Sequence, residues 1–233
     1  MKINFYLMAA FSVLMLSCSD SSNDDLPEVK EVVKEGEVVV VPEKKCQIVN
    51  KDGLLIIEGE SFALKGQWRI KEDAKASAGK YIEYYGSNSY NAPNSASEIS
   101  VKFYVDKAAT YLVRWYMRQP DEAAGDLSND VWIYFPGDIG LAKRDGIDVT
   151  LTKFEKFVSR GKVDFTYGGA LDLHNPTTSS WMRVKFPAAG EYTLKISGRS
   201  SLFQLDKFVL SSGISDTDAQ TNSKERTEAI KCE

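Results

Sequence analysis

The sequence predicts an all-β protein, a β-sandwich with the jelly roll as its first form, and three observations carry that expectation. Short stretches alternate apolar and polar residues with the period of a strand. Ile99, Val101, Phe103 and Val105 alternate with Ser100, Lys102 and Tyr104, and Tyr111, Val113, Trp115 and Met117 with Leu112, Arg114, Tyr116 and Arg118. Turn-forming clusters separate such stretches, among them Asn91-Ala92-Pro93-Asn94, Pro187-Ala188-Ala189-Gly190 and Ser197-Gly198. No long segment has a helical period. Many short antiparallel strands bury their apolar faces by closing into two packed sheets.

The elements follow in chain order. Lys2 and the apolar run from Phe5 to Leu16, closed by small Ser17, read as a secretory signal peptide over residues 1–17, too short to span a membrane. Leu14-Met15-Leu16-Ser17-Cys18 resembles a lipobox, which makes Cys18 the expected site of lipidation. The acidic stretch Ser19-Asp20-Ser21-Ser22-Asn23-Asp24-Asp25 resembles the signal that sends some lipoproteins of Gram-negative glycan degraders to the outer face of the outer membrane. The expected location is therefore the outer membrane, exposed at the cell surface; a polar disordered tether is the plainer reading of the same residues. Residues 18–45 form that tether, in which Pro42 stops the strand-like run Val38 to Val41.

Residues 46–213 hold one domain's worth of chain. Strands are expected at Leu54 to Glu60, Tyr81 to Tyr84, Ile99 to Val105, Tyr111 to Met117, Val131 to Phe135, Trp181 to Phe186, Tyr192 to Ile196 and Phe203 to Leu210. Residues 136–180 make one long glycine-rich connection, and connections of that length commonly shape a site. Residues 214–233 read as a loop or tail. In an oxidising compartment, Cys46 and Cys232 are the pair left once Cys18 is acylated, so a disulfide between them is expected to clip the two ends of the domain together; two free thiols are the alternative. With 29 Lys and Arg against 33 Asp and Glu, and no basic cluster interleaved with aromatics, nucleic acid is not an expected partner.

Within this frame a family resemblance takes shape. Ile57-Glu58-Gly59-Glu60, then Ala78-Gly79-Lys80-Tyr81-Ile82, then a strand ending in Val105 before Ala108-Ala109-Thr110-Tyr111, form the first half of a series. Trp181 after small residues, Gly190-Glu191-Tyr192-Thr193-Leu194 and Phe203-Gln204-Leu205-Asp206 before Phe208-Val209-Leu210 complete it. In order and spacing the series resembles the carbohydrate-binding modules of families 6 and 35, over about residues 54 to 211, which implies a galactose-binding-domain-like sandwich. The resemblance implies a structural Ca²⁺ held by Glu58, Glu60 and Asp206, a donor set that suits a hard cation. Glu58 and Glu60 are two apart and would share one face of a regular strand.

The resemblance also implies a sugar site in which two aromatics flank a ring and an amide bonds its hydroxyls. Trp181 matches the family's tryptophan, one of Tyr81, Tyr84 or Tyr90 its first aromatic, and Gln204 the position of its asparagine. Trp68, Asn91, Asn129, Asp130 and Trp132 are further candidates, because a pyranose stacks its C–H face on an aromatic ring while its hydroxyls take amide and charged partners. For each aromatic a core role competes. Arg114 and Arg118, with Tyr116 between them and Arg183 opposite, would suit a uronate or sulfate.

The expected activity is thus non-catalytic binding of a polysaccharide or oligosaccharide by a surface lipoprotein that captures glycan, next to glycan-uptake partners that no residue identifies. Two alternatives stand beside it. A polysaccharide lyase or hydrolase would draw on His174, Tyr167 and Arg160, or on carboxylates such as Glu83, Asp130, Asp164 and Asp172. A cell-envelope module that binds other proteins would need no such residues.

Overall fold

The periodicity of the strands becomes two sheets whose facing sides close on one apolar core. The computed structural model describes residues 45–144, 146–173 and 179–232, within the unit Glu43–Glu233. Residues 1–44, which hold the expected signal peptide, Cys18 and nearly all of the expected tether, lie outside the described residues, as does His174.

Strands β1 (Cys46–Val49), β2 (Leu54–Glu58), β3 (Trp68–Glu72), β4 (Lys80–Tyr84), β5 (Glu98–Val105) and β6 (Ala109–Arg118) come first. Then follow β7 (Asp130–Tyr134), β8 (Gly140–Arg144), β9 (Ile147–Leu151), β10 (Glu155–Val158), β11 (Thr166–Gly168), β12 (Ala170–Asp172) and β13 (Ser179–Ser180). The chain continues through β14 (Arg183–Phe186), β15 (Gly190–Gly198), β16 (Phe203–Ser211), helix α1 (Asp216–Ser223) and β17 (Ala229–Cys232). The first sheet runs β13-β12-β10-β7-β15-β5-β1-β17; the second runs β3-β4-β16-β6-β14-β8-β9, with β2 joined to β16 and β11 to β6. Pairing is antiparallel except where β1 meets β5.

Alternation decides the faces. Tyr111, Val113, Trp115 and Met117 of β6 enter the core between the sheets, so Leu112, Arg114, Tyr116 and Arg118 face outward. Strand β16 departs from simple alternation. A bulge between Leu205 and Lys207 turns two successive residues, Asp206 and Lys207, away from a core that takes Leu205 and Phe208.

Two expectations about connections are replaced. The stretch 136–180 is no free loop: β8 and β9 extend the second sheet, while β10, β12 and β13 extend the first. Residues 214–233 are no tail either. Ser215 caps α1 by accepting from the Asp218 amide at 3.0 Å, and β17 pairs with β1 in a register that faces Cys46 with Cys232. Those two cysteines form the expected disulfide, 186 residues apart in sequence. On the outer side of the second sheet, Leu54, Ile56, Tyr81, Tyr116 and Val209 are covered by Ala76, Phe165 and Ala219, a smaller apolar layer.

Candidate carbohydrate-binding site

The outward row of β6 carries two depressions. At one end, Arg114 is 5% exposed and lies under Trp181, its guanidinium carbon 4.4 Å from the centre of the indole ring. Trp181 itself is 49% exposed, so one face has a cation behind it while much of the ring meets solvent. Beside them opens a cleft of about 420 Å³ lined by Arg114, Ser159, Tyr167, Gly169, Asp216 and Gln220, among others. The long connection and α1 therefore build the cleft together. Gly169 is required at its floor: with φ +111°, any Cβ would lie 2.6 Å from the Phe157 ring.

Charge in this cleft is internally balanced. Arg114 Nε and Nη2 donate to Asp216 at 3.2 and 2.8 Å, and Nη1 donates to the Gly169 carbonyl. Tyr167 Oη donates to the same Asp216 at 2.8 Å. Burial first, then this bond and the charge of Asp216, push the Tyr167 phenol far above its ordinary range. Tyr167 is therefore held protonated and does not suit the proton-abstracting role that a lyase would give it.

At the other end of the row, a groove of about 550 Å³ is lined by Arg69, Tyr81, Glu83, Arg118, Leu202 and Gln204, among others. Gln204 bridges the strands: it accepts from Arg118 Nε at 3.0 Å and donates to Glu83 at 3.1 Å. Arg69 also grips Glu83, with Lys71 at 3.5 Å, and Arg118 pairs with Asp73 at 2.8 Å. Glu83 thus has its carboxylate oxygens engaged by Arg69, Lys71 and Gln204. Tyr81 lies under this network, buried at 3% exposure against Phe165.

Trp181 and Gln204 lie at opposite ends of the outward row of β6. Gln204 stands opposite Arg118 and Trp181 stacks on Arg114, four residues earlier on β6, a separation of about 13 Å along a strand. Trp68 and Tyr84 belong to the core instead; they pack together at 5.2 Å, and Trp68 Nε1 donates to the Ser97 carbonyl at 2.7 Å. Asn129 is also buried. Both candidates, Trp68 and Asn129, are buried rather than displayed at the surface.

A third group forms at the loops joining the strands. Exposed Tyr90 and buried Trp132 each lie 5.0 Å from the Arg199 guanidinium, which pairs with Asp130. Tyr90 and Asn91 border a depression of about 480 Å³ made of residues 88–95. Arg183 faces Leu112 on the outward row, as the alternation requires.

Two of the three acidic residues assigned to calcium, Glu58 and Asp206, meet at Ser77. Its hydroxyl lies 3.1 Å from Glu58 and 3.0 Å from Asp206, and its amide donates to Asp206 at 3.0 Å. Glu60 does not follow Glu58 on a strand, because Gly59–Ser61 turns as a 3₁₀ helix. Burial first, then the charge of Asp206, pushes the Glu58 carboxyl up to about 8, with Lys207 opposing. Burial likewise raises Asp206 and Glu60. Among the described residues no three acidic, His or Cys side chains are gathered closely enough to grip a metal as they stand. Yet Glu60 Oε2 is buried without a hydrogen-bond partner, and the surplus is of hard oxygen donors with negative charge. In chemistry and charge the set fits calcium.

The carboxylates considered for hydrolysis are dispersed: Asp164 pairs with Lys75 at 3.0 Å, Asp172 with Lys156 at 2.8 Å, and Asp130 with Arg199. Arg160 is exposed. Sequence reasoning passed over Asp216, Ser77, Arg199 and Lys207. Only Asp216 had a local signal, the Ser215-x-x-Asp218 cap that begins its helix.

No protein-family model matches the chain, and no curated protein matches it in sequence. The likeness to families 6 and 35 is one of fold. A family 35 carbohydrate binding module from Clostridium thermocellum is 19% identical and superposes with a TM-score of 0.42, covering 67% of this chain and 97% of that one. The C-terminal CBM6 of LamC from Zobellia galactanivorans is 12% identical, with 68% and 98% covered and a TM-score of 0.41. A family 6 module from Clostridium cellulolyticum, solved with xylose, is 12% identical, with 67% and 95% covered and a TM-score of 0.37.

Proposed function

We propose that this chain binds carbohydrate without cleaving it, and that the cleft beside Trp181 takes the sugar. The half-exposed indole backed by Arg114 is the observation that carries this reading. It offers a flat apolar platform for the C–H face of a pyranose, while Ser159, Thr217, Gln220 and Asp216 present hydroxyl, amide and carboxylate groups beside it. The groove around Gln204 and Glu83 gives a long glycan a second set of polar partners on the same sheet face. Affinity electrophoresis of the purified domain against soluble plant, algal and host polysaccharides tests the reading. Retardation in at least one is expected; unchanged mobility in all overturns it.

The same reading anchors the chain by an acylated Cys18 at the outer face of the outer membrane, where it captures glycan for neighbouring uptake proteins. Calcium is the proposed structural ion, held by Glu58, Glu60 and Asp206. When bound it supplies positive charge to buried carboxylates. The chain's own residues do the rest: Ser77 spans Glu58 and Asp206, and Lys207 offsets part of their charge.

A further inference from the structure

The cation of the Trp181 cleft already has its carboxylate. Arg114 presents Nε and Nη2 to Asp216 at 3.2 and 2.8 Å, the two-pronged geometry by which a guanidinium grips a carboxylate or sulfate. Its remaining nitrogen is held by the Gly169 carbonyl. We infer that this cleft selects neutral sugars, and that Asp216 sets the selection by filling the place on Arg114 that a ligand's uronate or sulfate group would need. The inference deepens the glycan-binding reading and rests on it.

Two effects act together. The slot is occupied, and an approaching anion meets a like charge. Burial works against ionisation of Asp216, but hydrogen bonds from Arg114 and Tyr167 outweigh it and hold the carboxyl below its ordinary value. The neighbouring depressions follow the same rule, with Arg118 paired to Asp73 and Arg199 to Asp130. Helix α1 is fixed independently of Asp216. Lys207 Nζ donates to the carbonyls of Ser223, Lys224 and Arg226 at 2.8, 3.3 and 2.6 Å, and Tyr116 Oη donates to that of Gln220 at 2.9 Å.

The test compares the unsubstituted chain with Asp216→Ala and Asp216→Asn on a printed array of neutral plant and algal oligosaccharides and their uronate- and sulfate-bearing counterparts. The unsubstituted chain is expected to favour neutral sugars by about tenfold or more, the worth of one charge-assisted pair. Asp216→Ala, which empties the slot, shifts the acidic-to-neutral ratio upward by a similar factor. Asp216→Asn keeps the slot filled and moves the ratio less. If Asp216→Ala does not fold, the ratio of the unsubstituted chain decides. A preference of that chain for acidic glycans, or an unchanged ratio in folded Asp216→Ala, overturns the inference and leaves glycan binding standing. Absence of binding to any sugar removes both readings.

Discussion

Arg114 supports Trp181 from beneath, 4.4 Å from the centre of its ring, and this contact turns an outward strand residue into the support of a half-exposed indole. The indole keeps one solvent-facing side because a buried cation, itself held by Asp216, occupies the other.

Replacing Trp181 with Ala should therefore weaken binding of whichever glycan the domain retains by at least about tenfold, as loss of a central aromatic contact does. The melting temperature should move by only a few degrees, since the side chain is half-exposed. Gel retardation unchanged by Trp181→Ala in a folded protein would place the sugar elsewhere.

The Cys46–Cys232 bond joins the ends of the domain through β1 and β17. On the chain-entropy account, closing 186 residues contributes about 5 kcal/mol. Cys232→Ser should lower the midpoint of urea unfolding markedly without changing the strand signature in circular dichroism. A midpoint equal to that of the unsubstituted protein contradicts the assignment.

Without a bound cation, the acid cluster makes stability depend on pH. In EDTA, folded Glu58 keeps its proton to about 8, whereas an ordinary glutamate loses it near 4.5. Between those values the folded state binds the extra proton. The contribution is full below pH 4.5 and is lost as pH rises through 8, with an upper bound of about 5 kcal/mol. Melting temperature in EDTA should fall across this window, and Glu58→Gln should flatten the fall. Calcium chloride at pH 8 should restore stability, because the cation favours the ionised carboxylates. Identical melts with EDTA and with calcium at pH 8 would remove the ion from the account.

Lys207 is fully buried, with three carbonyl acceptors at the end of α1 and a charge that offsets Glu58 and Asp206. Removing one partner of a buried charge set costs about 3–5 kcal/mol. Lys207→Met should lower the melting temperature by roughly 10 °C in a domain of this size. A change of under 2 °C would show that the ammonium is dispensable.

Much of this architecture is legible in the residues. The alternation along Tyr111 to Arg118 gives both the strand and the side on which Arg114 and Arg118 emerge, because side chains of a strand change face at every step. The pairing of Cys46 with Cys232 is expected from counting the thiols left once Cys18 is set aside, and the structure joins them. What stayed hidden depends on contacts distant in sequence. Trp68 carries no local mark of its place in the core, and the bulge that puts Asp206 and Lys207 on one side is absent from any two-residue period.

By itself, then, the sequence determined the β-sandwich, its outward rows of polar residues and the acidic set near its last strand, since all of these follow from short-range periodicity and residue chemistry. Only the tertiary structure decided that Trp181 and Gln204 part company, and that Arg114 is neutralised by Asp216, 102 residues away in the chain. The physical reason is that strand period fixes which face a side chain takes, whereas its partner is fixed by which remote segment packs against that face.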